Sequence, residues 1–143
     1  MGLFDKLLGS KESALTPQAG LLLAAIAMVS IDGDVDDNEF AVIRRLDGSG
    51  KTEAWDLAVR VWKAKSIEEC VELAAGSMNG EQRLGAIANL IDISMADGAL
   101  GGSEKRLLEA FVEAFQVDVE AVARIVEVIS IKNNRSIFER SSN

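Results

Sequence analysis

Residues 32–39 read Asp-Gly-Asp-Val-Asp-Asp-Asn-Glu, and residues 97–104 read Asp-Gly-Ala-Leu-Gly-Gly-Ser-Glu. The two stretches share the pattern D-G-x-[VL]-x-x-x-E at an offset of 65 residues. An apolar helical pattern precedes each turn and another follows it, so the sequence predicts a duplicated helix–loop–helix with two helices between the copies. The aligned apolar pairs are Ile26 with Ile91, Val42 with Leu107, Ile43 with Leu108 and Leu46 with Phe111.

Capping signals divide the remaining chain into helices. Thr16-Pro17 opens a helix that is apolar nearly all round, which predicts a central position. Ser66 stands three residues before Glu69, which is the pattern of a capping box, and Asn79-Gly-Glu-Gln82 opens the following helix. These signals predict an all-α fold, a single compact bundle of about seven helices. The predicted helices cover about 17–31, 36–46, a stripe from Trp55 to Trp62, 66–75, 79–96, 101–115 and a last one after Asp118.

The pattern predicts one helical domain over residues 1–131 and a flexible tail over 132–143, where the helical spacing is lost. Residues 1–15 form a short amphipathic segment. Its apolar edge is expected to dock onto the domain rather than to insert into a membrane. That edge consists of Leu3, Phe4, Leu7 and Leu8.

Composition restricts the possible functions. The net charge is −8 and histidine is absent, which disfavours nucleic-acid binding and removes the commonest general acid–base and metal-ligating side chain. The longest apolar run, 19–31, is too short to cross a bilayer. Cys70 is the single cysteine, so an intrachain disulfide is impossible and a reducing compartment is indicated. We therefore expect a cytoplasmic protein that is not an enzyme.

The first turn is the most acidic part of the chain, with five carboxylates in eight residues. Oxygen ligands favour hard cations, so we expect calcium, magnesium or manganese. The turn is not an EF-hand, because Asp37 occupies the position of the obligatory glycine and Ile43 that of the bidentate glutamate. The predicted metal ligands are Asp32, Asp34, Asp36, Glu39, Asp97 and Glu104.

Helix capping is a competing interpretation of the same residues. Asp36 can serve as an N-cap and Glu39 can complete a capping box. In the second turn the cap position is Gly101, which has no side chain to accept a hydrogen bond, although Glu104 is retained. Capping also leaves Asp32 unexplained, because a carboxylate at a helix C-terminus opposes the macrodipole. The sequence is compatible with both the metal-binding and the capping interpretation.

Other residues invite weaker functional interpretations. Gly48-Ser-Gly-Lys-Thr52 resembles the end of a phosphate loop, but the first required glycine is Arg45. Trp55 and Trp62 have the spacing of a buried stripe rather than of a binding platform. Asp92 either supports the acidic site or lies on an exposed helix face.

The paired turns and the opening Leu3-Phe-Asp-Lys-Leu7 resemble the tellurite-resistance TerB proteins and TerB-like domains, over about residues 1–128. The resemblance implies an all-helical domain whose acidic turns bind divalent metal ions. It also implies a bacterial role in stress response, including tellurite resistance, with membrane-associated and protein partners. The second turn departs from the family because Ala99, Gly101 and Gly102 replace its additional acids. The motif positions are Asp32, Glu39, Asp97 and Glu104, with turn glycines Gly33 and Gly98.

Two functional hypotheses follow. The first is a non-enzymatic stress-response module that binds a divalent cation through both acidic turns. The second is an acidic scaffold or adaptor that recognises a basic or membrane-associated partner without a specific metal.

Overall fold

The computed structural model describes residues 15–31, 41, 43–46, 53–96, 101–134 and 136–139. These residues form no strand, and they contain six helices of ten residues or more together with one four-residue helix. The all-α prediction is therefore confirmed. The helices are α1 Pro17–Ser30, α2 Glu53–Ala64, α3 Ile67–Gly76, α4 Gly80–Ser94, α5 Gly102–Phe115, α6 Val119–Asn133 and α7 Ser136–Glu139.

Helix α1 is the centre of the bundle, as its sequence predicts. Between Ala19 and Val29 every residue except Leu21 is buried, and the helix packs against α2, α3, α4 and α5. Thr16 begins the helix by accepting a hydrogen bond from the Ala19 amide at 3.1 Å. A helix without a polar face is stable only when other helices cover it, and α2, α3, α4 and α5 are arranged around α1, whereas α6 packs against α4.

The predicted second helix, 36–46, lies largely outside the described residues. Ala41, Ile43 and Arg44 are helical, and Ile43 is completely buried in the core. The Gln18 side-chain amide donates to the Leu46 carbonyl at 2.8 Å, which joins the start of α1 to the end of this segment.

A close approach between α1 and the α3–α4 connection depends on a glycine. A Cβ atom added to Gly20 would clash with Ser77 Oγ and lie 3.3 Å from Met78 Cε. The Ser77 hydroxyl already donates to the Ala74 carbonyl at 2.7 Å. Glycine therefore permits α1 to contact the end of α3 directly, at a cost in helix propensity of about 1 kcal/mol relative to alanine.

The tryptophan stripe on α2 lies against the core, although only Ala58 in it is fully buried. Trp55 and Trp62 are partly buried, and the Arg44 guanidinium stacks over the Trp55 ring at 5.3 Å from the centroid. Cys70 on α3 is buried. Burial raises the pKa of its thiol, and the neighbouring Glu69 carboxylate adds to the increase. This environment is the opposite of the one that activates a cysteine.

Helix α6 extends two residues beyond the predicted domain end at 131, and α7 forms one further turn within the predicted tail. Lys132 pairs with Asp92 of α4 at 2.9 Å. The Asn133 side chain donates to the Met95 carbonyl at 3.2 Å. The end of α6 is thus attached to the end of α4.

The capping box predicted at Ser66 is confirmed, and Asn79 forms a second one at the start of α4. The Ser66 hydroxyl accepts from the Glu69 amide at 3.2 Å, while the Ser66 amide donates to Glu69 Oε1 at 3.0 Å. Asn79 and Gln82 form the same reciprocal pair at 2.9 Å in each direction. The capping box is formed by two residues that lie three positions apart, so its sequence pattern predicts the hydrogen bonds reliably.

We expect Ser66→Ala to lower the free energy of unfolding by about 1 kcal/mol, because an N-cap side chain satisfies an otherwise unpaired amide. Urea denaturation measures the change. Ser130→Ala is the matched control, since Ser130 lies within α6 and donates only to the Val126 carbonyl one turn earlier. Equal losses in the two variants would contradict the capping role.

The same box predicts a pH dependence. Hydrogen bonds from the Ser66 amide and hydroxyl hold the pKa of Glu69 below its usual value of 4.5. A lowered folded-state pKa stabilises the protein above the unfolded pKa and ceases to do so as the pH falls through the folded value. Glu69→Gln should therefore be less stable than the wild type at pH 7. Urea denaturation should show this difference shrinking as the pH falls below about 4.5. A difference independent of pH would contradict the assignment.

Candidate metal centre

Of the predicted ligands, the structure describes only Glu104. Asp32, Asp34, Asp36, Glu39 and Asp97 lie outside the described residues. Within the described ranges, no group of three or more Asp, Glu, Cys or His side chains could hold a metal ion. The role of the turn carboxylates as metal ligands remains a prediction.

Glu104 has a capping function. It is the third residue of α5, and its Oε1 accepts a hydrogen bond from the Gly101 amide at 3.1 Å. Gly101 offers no side-chain cap in return, so the second turn contains half of a capping box. Capping thus accounts for the presence of Glu104 even where the N-cap residue is glycine. It does not exclude metal binding, because a carboxylate has a second oxygen and several lone pairs.

The residues that flank the two turns line the same groove. Ile31 immediately precedes the first turn, and Ser103 lies at the end of the second; both line a groove of about 770 Å³ between α3 and α5. Helices α1 and α4, which lead into the two turns, pack against each other. The flanking residues of both turns therefore border one groove. Among the described residues that line this groove, the charged side chains are Glu68, Glu72, Arg106 and Glu113.

Asp92 lies on an exposed helix face. Its side chain is 45% exposed and forms an ion pair with Lys132. This carboxylate holds α6 against α4, which agrees with the simpler of the two interpretations of Asp92.

Sequence reasoning did not single out Ser94, at the end of α4. It is 5% exposed, and its hydroxyl has no hydrogen-bond partner in the part of the chain that the structure describes. Ser30 and Ser130, by contrast, each donate to a carbonyl of the preceding turn. In the sequence, Ser94 is recognisable only as a serine at the end of an apolar run. This pattern does not show whether its hydroxyl forms a hydrogen bond.

The central apolar helix, the surrounding helices and the repeated turn pattern define an all-α helical domain of duplicated helix–loop–helix type. A family model described as tellurite resistance protein TerB matches residues 22–127. The chain therefore belongs to the TerB family. The match begins after the amphipathic N-terminal segment and covers both acidic turns. No curated protein and no solved structure matches the chain.

The described helices also bear on membrane association. None of them is both long enough and apolar enough to cross a bilayer.

Proposed function

We propose that this TerB-family protein is a non-enzymatic stress-response module that binds a divalent cation through its two acidic turns. The observation that best supports the proposal is the common groove, because Ile31 and Ser103, which flank the two turns, both line it. Five carboxylates without a basic residue in the first turn would repel one another unless a cation neutralised them. The lone buried cysteine supports a reducing, cytoplasmic location.

The proposal assigns different roles to the six acids. Asp32 and Asp97 are direct ligands at equivalent positions of the repeat, and Asp34 and Asp36 add negative charge. Glu39 and Glu104 bind the cation and also begin their helices, and Glu104 already uses one oxygen for the second role. Calcium, magnesium and manganese are the expected ions because every ligand is oxygen.

Thermal unfolding in a series of calcium, magnesium, manganese and zinc salts tests the proposal. A ligand at 100 times its Kd stabilises the folded state by about 2.7 kcal/mol. For a domain of this size, that corresponds to a rise in Tm of about 5–10 °C, which chelator should reverse.

The decisive variant is Asp32→Asn combined with Asp97→Asn, which should abolish the rise. Asp56→Asn with Glu127→Gln removes the same net charge from exposed positions on α2 and α6 and should leave the rise unchanged. If no ion raises the Tm, or if the two double variants respond equally, the proposal is wrong.

The acidic adaptor is a second candidate, and one feature of the structure favours it. Glu68, Glu72 and Glu113 line the groove between α3 and α5, and Arg106 is the single basic residue among its described lining residues. A lysine-rich peptide should then bind with a strong dependence on salt and equally well in chelator. Loss of that binding in chelator would favour the cation module instead.

A further inference from the structure

A second groove lies between α2 and α3 and is mainly apolar. Its volume is about 540 Å³, and its apolar lining comes from Leu15, Leu57, Val61, Ala64 and Leu73. This volume is typical of pockets that enclose a small ligand or a few side chains. Glu104, the predicted metal ligand that the structure describes, is not among its lining residues.

The rim of this groove carries both signs of charge. Glu68, Glu69 and Glu72 project from α3, whereas Arg60 lies on α2 and Lys65 follows that helix. An apolar floor with a charged rim is typical of a groove that binds an amphipathic helix. Three carboxylates make it a poor contact for an anionic membrane surface.

From this geometry we infer that the α2–α3 groove is the docking site of the chain's own N-terminal segment, residues 3–8. Leu15, the first described residue, lines the groove, so the preceding chain enters at the groove itself. The segment lies outside the described residues, and its sequence presents apolar residues at 3, 4, 7 and 8, the spacing of one helical edge. Asp5 and Lys6, between them, match the two signs of charge on the rim.

The length of the connection permits this docking. Residues 9–14 read Gly-Ser-Lys-Glu-Ser-Ala, a polar linker without a proline. From residue 8 to residue 15 an extended chain reaches about 24 Å. The α2 part of the groove, from Leu57 to Ala64, extends over about 10 Å. A short linker also creates an effective concentration in the millimolar range, so even a weak contact would be well populated.

Paramagnetic relaxation in the full-length chain tests the inference. A nitroxide is attached at Gly2→Cys; the native Cys70 is 1% exposed and should not react. We expect NMR signals of Leu57, Val61 and Leu73 to be broadened, while those of Val128 and Ile131 on the exposed face of α6 keep their intensity. Uniform loss or no loss at both surfaces would overturn the inference.

Variants of the segment establish whether its apolar edge is responsible. Leu7→Glu with Leu8→Glu should abolish the broadening, whereas Ser10→Glu with Ser13→Glu adds the same charge to the linker and should preserve it. Broadening that survives the first pair would overturn the inference. A second sample mixes nitroxide-labelled chains with separate isotope-labelled chains that carry no nitroxide. Broadening of the signals of the isotope-labelled chains would also overturn the inference, because the occupant of the groove would then be a second copy.

A variant of the groove completes the test without disturbing the core. Ala64 is exposed and lines the groove, so Ala64→Trp should fill it and remove the broadening with little effect on Tm. Ala123→Trp on the exposed surface of α6 is the matched control. All measurements are repeated in chelator. Because none of the described residues that line the groove is a predicted metal ligand, docking should persist in chelator even if the cation proposal fails.

Discussion

Phe111→Ala is expected to lower the free energy of unfolding by about 3–5 kcal/mol, the largest effect of any substitution considered for this protein. Phe111 lies on α5 with no exposed surface, and its ring meets Phe115 edge to face at 5.5 Å between centroids. Helix α5 packs against α1, α3 and α4, so truncation would leave a cavity among four helices. Urea denaturation followed by circular dichroism measures the loss.

Phe138→Ala is the matched control. Phe138 lies on α7 and is 84% exposed, so the same truncation should change the free energy of unfolding by no more than about 0.5 kcal/mol. Losses of similar size in both variants would show that Phe111 does not occupy the packed position described here.

Arg83→Met is expected to cost about 2–3 kcal/mol, because hydrogen bonds from a charged donor contribute more than neutral ones. The Arg83 guanidinium donates to the Ala75 carbonyl through Nη2 at 2.7 Å and Nε at 3.1 Å. Its Nη1 donates to the Phe115 carbonyl at 3.4 Å. A cation at the C-termini of both α3 and α5 also interacts favourably with their dipoles. Methionine retains much of the apolar stem, so the measured loss reports mainly on the guanidinium.

Arg124→Met on the exposed surface of α6 is the control for the removal of one positive charge, with an expected change within about 0.5 kcal/mol. Thermal and urea unfolding should rank the two variants in the same order. An Arg83→Met protein as stable as the Arg124→Met protein would contradict the bridging role.

Helix boundaries were well predicted where the signals are local. Ser66 and Glu69 are three residues apart, and so are Asn79 and Gln82; their hydrogen bonds form within a single helical turn. The helix starting near 80 ends earlier than predicted, at Ser94 rather than Ala96, and the last long helix continues to Asn133. The ends were less accurate because a C-terminus depends on contacts with other elements as well as on its own residues. Lys132 and Asn133, for example, bind the end of α4.

The sequence predicted which residues form the candidate metal site but not how they are arranged. The repeat identifies Asp97 and Glu104 as counterparts of Asp32 and Glu39. The repeat could not establish that Glu104 accepts a hydrogen bond from the Gly101 amide, because a glycine at the N-cap position argues against a capping box. Nor could it place Ile31 and Ser103 in one groove, since that juxtaposition results from the packing of α3 and α5.

The sequence by itself determined the helical class, the central position of α1 and the family. It did so because apolar periodicity, capping residues and the repeated turn are all local sequence patterns. Only the tertiary structure decided that Arg83 joins the ends of α3 and α5, that Gly20 admits Ser77, and that Asp92 pairs with Lys132. The last of these pairs is separated by 40 residues. Such contacts depend on how the helices are rotated and offset around α1. The same helical sequence pattern is compatible with many different sets of side-chain contacts between the helices.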